Sequence, residues 1–198
     1  MFGSTEFDGR EPDDGVDNRF SPLVIAGQVV PVMYGGVDDH TAAAETIFHT
    51  LPAGRRPGQV YLSAYLSWQW SQIHARRDLV LLPLDSRTGP LVTTLVDGDR
   101  SSYSAARAAV SRLLQDHPDV DGLVWASRQL HDQPSQVDLD IEATAVSLLL
   151  VAPSPGREGG ITRDDLTSDR PGVPFATPGG VQRLFVIASD LDVTVVTP

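Results

Sequence analysis

The chain has 198 residues, a formal net charge of −11 and a pI near 4.6, with 41% hydrophobic residues. A chain of this size buries roughly 70% of the surface its unfolded form exposes, so one domain can fold without a metal or disulfide. There is no cysteine, which excludes disulfides, zinc-thiolate sites and a cysteine nucleophile. All 15 basic residues are arginines, so P-loop, Schiff-base and serine–lysine chemistry are excluded for want of a lysine. The acidic balance repels phosphate backbones, and nucleic acid is not expected as a direct partner. A few arginines in a cleft can still hold a pyrophosphate against that field. No apolar run reaches the roughly 18 residues of a membrane span. The first residues lack the basic-then-apolar order of a signal peptide, so a cytoplasmic protein without membrane contact is expected.

Residues 1–17 carry Gly3, Gly9, Gly15 and a cluster of acids, and read as an acidic arm with little intrinsic order. Residues 18–198 read as a single domain. A strand is expected over 23–25, a turn at Ala26-Gly27, and a second strand over 28–34. Along it Val30, Val32 and Tyr34 share one face, and Val29 and Met33 the other. Pro31 predicts an edge position or a bulge. Gly35-Gly36 ends the strand and lets other groups approach the backbone closely. A helix follows over about 40–50, capped by Asp38 or Asp39, with Ala43, Ala44, Ile47 and Phe48 as its apolar stripe. Glu45 borders that stripe, where a carboxylate can look into a cleft between helix and strand.

A short strand over 60–63 leads to an expected hairpin. Trp68 and Trp70 lie on one arm, Arg76-Arg77-Asp78 turns, and 79–84 returns. Residues 103–115 give the clearest helix, with Tyr103, Ala106, Val110, Leu113 and Leu114 at helical spacing and His117-Pro118 as its stop. A buried strand over 122–125 delivers Ser127-Arg128 at its end, and another strand spans 143–151. Residues 153–174 form a Gly/Pro/Asp-rich loop, long enough to be an insertion or a mobile lid. Thr177-Pro178 opens a last helix with Val181, Leu184, Phe185 and Ala188 inward, and 193–196 closes the sheet. Strands and helices alternate without a repeated strand–helix–strand unit, which predicts an α+β fold. No Gly-x-Gly-x-x-Gly follows the first strand, so a Rossmann site is not expected.

The five histidines neither pair as His-Glu-x-x-His nor sit beside cysteines, so no zinc site is expected. Asp119-x-Asp121 opens like a calcium loop, but Leu123 and Trp125 occupy the later ligand positions. Asp138, Asp140 and Glu142 alternate on one strand face, for which a solvated surface is the favoured reading over a divalent ion. There is no Gly-x-Ser-x-Gly elbow. What remains is a scattered polar set: Arg19, Tyr34, Glu45 and Ser127. Each also has an ordinary role open to it: Glu45 complementing a helix dipole, Arg19 as a surface cation, Tyr34 in the core, Ser127 capping a turn.

The blocks Asn18-Arg19-Phe20-Ser21-Pro22, Val32-Met33-Tyr34-Gly35-Gly36 and Ala42-Ala43-Ala44-Glu45-Thr46 resemble the opening of the RES domain, named for an arginine, a glutamate and a serine. The stretch from Asp119 through Gly122-Leu123-Val124-Trp125-Ala126-Ser127-Arg128 is similar to the block that carries the serine. The resemblance covers about 18–128, with a weaker likeness over 180–196. It implies a split, mostly antiparallel sheet similar to ADP-ribosyltransferase toxins, with NAD as substrate in the cleft and no metal. It implies a toxin paired with an Xre-like antitoxin, cleaving the nicotinamide–ribose bond with water or phosphate as acceptor. A protein ADP-ribosyltransferase in the same cleft, or an inactive RES-like binding module, are the alternatives. A homo-oligomer is compatible with the sequence.

The resemblance gives Glu45, Arg19, Tyr34 and Ser127 catalytic roles, the last three also contacting NAD. A carboxylate stabilises an oxocarbenium ion or orients ribose hydroxyls, which suits Glu45. A guanidinium grips pyrophosphate bidentately, which suits Arg19. Tyr34 would stack on the nicotinamide or bond its amide, and Ser127 would hold ribose or carboxamide. RES domains also carry an arginine in an upstream strand; here that region holds only Arg10, in a Gly/Asp-rich stretch unlike a strand.

Overall fold

The computed structural model describes residues 18–48, 51, 58–88, 91, 93–98, 100–131, 136–140, 145–168 and 171–197. The expected N-terminal arm, Arg10 and Glu142 therefore lie outside the described residues. The architecture is α+β: among the described residues there are three α-helices and short strands in several, mostly antiparallel, sheets.

The chain opens with a hairpin of β1 (Leu23–Ile25) and β2 (Gln28–Val30). Its two-residue turn, Ala26-Gly27, has both φ angles positive, +50° and +77°, the geometry that matches the twist of paired strands. Pro31 then breaks the strand, and β3 (Val32–Gly36) begins beyond it. β3 is an edge strand of the main sheet, which is where a proline beside a ladder is tolerated. That sheet has the order β3–β9–β8–β7, where β7 is Leu81–Leu84, β8 Gly122–Ala126 and β9 Val146–Val151. β3–β9 and β9–β8 are antiparallel, and β8–β7 is parallel. β8 is buried at every residue, as its continuous apolar run predicts.

The pleat sorts side chains onto the two faces. Val32 and Tyr34, Leu149 and Val151, Leu123 and Trp125, and Leu82 and Leu84 face the largest core. The hairpin and α2 (Tyr103–Asp116) close that core through Leu23, Ile25, Ala106, Val110 and Leu114. On the opposite face Met33, Leu150 and Leu81 meet Ile161 and Leu166.

A second core lies apart from the main sheet. α1 (Asp39–Thr46), α3 (Pro178–Asp190) and the parallel pair of β4 (Gly58–Tyr61) with β12 (Val193–Val196) enclose Ala43, Phe48, Val60, Trp70, Phe175, Leu184 and Ile187. Trp70 meets Phe175 edge-on, with centroids 4.9 Å apart. α1 is short and carries little amphipathic pattern of its own, so its placement rests on anchors at its N-terminal end. Asp38 caps it, Oδ1 accepting from the Thr41 amide at 2.7 Å. Arg183 of α3 donates through Nε to Asp39 at 2.7 Å, and His40 meets Asp190 at 3.0 Å.

Three sequence expectations need correction. The hairpin predicted across 68–84 does not form. Its arms are β5 (Gln69–Trp70), which pairs with β11 (Val173–Pro174), and β6 (His74–Ala75), which pairs with β10 (Leu166–Thr167), while β7 joins the main sheet. Trp68, expected beside Trp70, is exposed, its ring meeting Tyr65 edge-on at 5.2 Å. Phe185, expected inward, is 40% exposed, because α3 turns Gly180, Leu184, Ile187 and Ala188 to the core. Both partners of those two-residue strands come from 153–174, so the described part of that loop is stitched to the body. Within it, Thr162 and Asp165 form a capping box around a short 3-10 turn.

Candidate active site

Gly36, at the end of β3, sets how close α1 comes to the sheet. A Cβ there would stand 2.5 Å from the Ala42 amide nitrogen and 2.9 Å from the Thr41 Cβ. With no side chain at 36, α1 lies directly on the strand, and its last turn carries Glu45 over the C-terminal end of β8. There Ser127 is fully buried, and its Oγ donates to Glu45 Oε1 at 2.6 Å. Eighty-two positions apart in sequence, the two side chains meet as a charge-assisted pair.

Ser127 is held from its backbone as well. Its amide donates to Ala145 at 2.8 Å, and its carbonyl accepts from Leu130 at 3.2 Å and His131 at 3.0 Å. The hydroxyl so held points its hydrogen at the Glu45 carboxylate.

Arg19 and Tyr34 are joined through Phe20, which lies next to Arg19 in the chain. Tyr34 Oη accepts from the Phe20 amide at 2.8 Å, and its ring lies parallel to Phe20, 6.5 Å away. Phe20 meets Trp125 edge-on at 5.2 Å, two residues before Ser127. Arg19 spreads its guanidinium over the carbonyls of a turn of wide helix at Thr93–Asp97. Nη1 reaches Leu95 at 3.4 Å and also Val96, Nη2 reaches Gly98 at 3.5 Å, and the group lies 5.7 Å from the Tyr103 ring centroid. The next cation is Arg128, whose Nη1 donates to the same Gly98 carbonyl at 3.1 Å. A continuous series of contacts thus runs from Tyr34 through Phe20 and Arg19 to Gly98, Arg128, Ser127 and Glu45.

Beneath α1, three buried polar atoms have no hydrogen-bond partner: Thr41 Oγ1, Ser147 Oγ and Trp125 Nε1. Gly36, Ser147 and Trp125 are register partners across β3, β9 and β8, and Thr41 sits on Gly36. Unpaired buried polar groups are costly and uncommon. Here they share the sheet face of Ser127.

Sequence reasoning passed over two arginines. Arg128 stood beside the chosen serine but carried no pattern of its own. Arg77 read as a turn residue, whereas it grips Asp121 with Nη1 and Nη2, each at 2.7 Å. Asp121, almost fully buried, also accepts from the amides of Val80 at 2.9 Å and Gly160 at 3.0 Å. Burial pushes its carboxyl up, but the Arg77 fork and the two amides outweigh it and hold the pKa below the ordinary range. The same hydrogen bonds to Asp121 raise Arg77. This cluster pins the loop around Gly160 to the start of β8. At the far end of β7, buried Asp85 is paired to Arg87, whose hydrogen bonds hold its carboxyl low. Asp138 and Asp140 are exposed, the former accepting from Ser86 Oγ at 2.8 Å. Among the described residues no group of three or more His, Asp or Glu is placed to hold a metal, and no helix is long and apolar enough to cross a membrane.

Fold and geometry together define an α+β protein with a carboxylate–hydroxyl pair and two arginines that share one backbone carbonyl. A family model described as the RES domain matches residues 2–146, and the chain belongs to that family. Membership places it among proteins that act on NAD. No curated protein and no solved structure matches the chain.

Proposed function

We propose that this chain cleaves the nicotinamide–ribose bond of NAD, with water or phosphate as acceptor, and that Glu45 is its central catalytic group. The observation that carries this reading is the 2.6 Å hydrogen bond from buried Ser127 to Glu45. It fixes one carboxylate oxygen and leaves the other for substrate.

Loss of nicotinamide leaves positive charge on the ribose ring, spread between C1 and the ring oxygen. A preorganised carboxylate stabilises that charge, directly or through the ribose hydroxyls, without having to reorient during the reaction. Ser127 positions Glu45. Arg19, half-buried and facing backbone carbonyls, supplies fixed positive charge for the pyrophosphate. Tyr34 orders the Arg19-Phe20 backbone by accepting from the Phe20 amide. Separation of the main sheet from the β4–β12 pair suits the split sheet of ADP-ribosyltransferase-like proteins. As in other RES proteins, a cognate Xre-like antitoxin would neutralise the activity in the cytoplasm.

Incubating purified protein with NAD and following the products by NMR, with and without phosphate, tests the reading. Free nicotinamide with ADP-ribose identifies water as acceptor, and a phosphorylated ADP-ribose identifies phosphate. Unchanged NAD at high protein concentration rejects both, and leaves a protein-directed transferase or a binding module.

A further inference from the structure

We propose that Arg128 and Arg19 form a two-guanidinium clamp for the diphosphate of the dinucleotide, which rests on the reading above and adds to its site a residue that reading did not use. Arg128 follows Ser127 directly, so the hydrogen bonds that fix the serine also fix the base of the arginine. Its Nη1 and the Nη2 of Arg19 converge on one oxygen, the Gly98 carbonyl, at 3.1 and 3.5 Å. Two cationic forks therefore meet across a single backbone atom.

Among the described residues neither arginine is in an ion pair, whereas Arg77, Arg87 and Arg183 each have a carboxylate. Bringing two half-buried cations together is unfavourable in a medium less polar than water, and carbonyl dipoles offset only part of it. A doubly charged anion reverses the sign of that interaction. Guanidinium groups accept phosphate oxygens two at a time, so two forks suit two linked phosphates better than one small anion. The chain as a whole is strongly acidic, at −11, so the pair is a local arrangement rather than part of a basic surface. A long polyanion would be repelled by the rest of the molecule.

The full-length chain, its Arg128→Gln and Arg128→Lys variants, and two probes, ADP and inorganic pyrophosphate, test this by calorimetry, with thermal melts alongside. Wild-type protein is expected to bind both probes. Arg128→Gln should weaken ADP at least about tenfold, the scale of one lost charge-assisted bidentate contact, and Arg128→Lys should recover part of it. In NAD turnover, Arg128→Gln should raise KM by a similar factor and leave kcat within about threefold. Should the Gln variant fail to fold, the Lys variant with its intermediate affinity carries the test. ADP binding unaffected at Arg128, no binding of either probe by the wild type, or a fall in kcat at unchanged KM would each overturn the clamp. Arg128-dependent ADP binding by a protein that leaves NAD intact would sustain the clamp and reject the cleavage reading alone.

Discussion

Replacing Ser127 with alanine removes one oxygen from a fully buried position and opens almost no cavity, so its effect should trace to Glu45. A hydrogen bond to a charged group contributes about 1.5–3 kcal/mol. If that energy holds the carboxylate in its reactive position, losing it lowers kcat by about 10- to 150-fold, at roughly 1.4 kcal/mol per decade. KM should move little, because Ser127 gives its proton to Glu45 and not to substrate. Steady-state kinetics on Ser127→Ala, Glu45→Gln and the double variant make the assay. Because Ser127 acts through Glu45, the double variant should be no slower than Glu45→Gln alone. A Ser127→Ala enzyme with wild-type kcat, or losses that multiply in the double variant, would refute the positioning role.

Gly36→Ala would place a methyl group against the backbone of α1, 2.5 Å from the Ala42 nitrogen. A cost of about 1–3 kcal/mol in stability is expected from chemical denaturation, with a drop in kcat as Glu45 shifts. A variant as stable and active as wild type would show that α1 is not seated by that contact. The depressed carboxyls of Asp121 and Asp85 predict acid lability. A group whose folded pKa is lowered contributes stability that is fully present above its unfolded value, near 3.9, and is lost as pH falls through the folded value. Denaturation midpoints measured from pH 7 down to pH 3 should therefore fall most steeply at the acid end. Asp121→Asn should be less stable at pH 7 by about 2–4 kcal/mol and show a flatter acid limb. A midpoint independent of pH would contradict the assignment.

Local pattern carried the helices and the central strands. α2 was legible because Ala106, Val110 and Leu114 repeat at helical spacing and a proline follows, and β8 because five apolar residues run unbroken into Ser127. Of the four candidate residues Ser127 and Glu45 meet directly, which nothing in their separate segments could show. What failed was non-local. β5 and β6 are two residues each and take partners from 166–174, about 90 to 105 positions on, so the alternation that suggested a hairpin had no bearing on pairing. Arg77 looked like a turn residue because its partner Asp121 lies 44 positions away. Arg128 was unmarked because its significance lies in a carbonyl it shares with Arg19. Phe185 misled because the inward stripe of α3 is rotated toward Gly180 and Ile187, and a glycine at a packing contact adds nothing to a hydrophobic pattern.

The most direct test of the central claim is nicotinamide release from NAD by the wild-type protein beside Glu45→Gln, a substitution that keeps the shape and removes the charge. The account predicts turnover by the wild type and a loss of at least about a hundredfold in the variant, the scale of one preorganised electrostatic group. Equal rates from both proteins would contradict it, because the carboxylate held by Ser127 would then have no part in the chemistry.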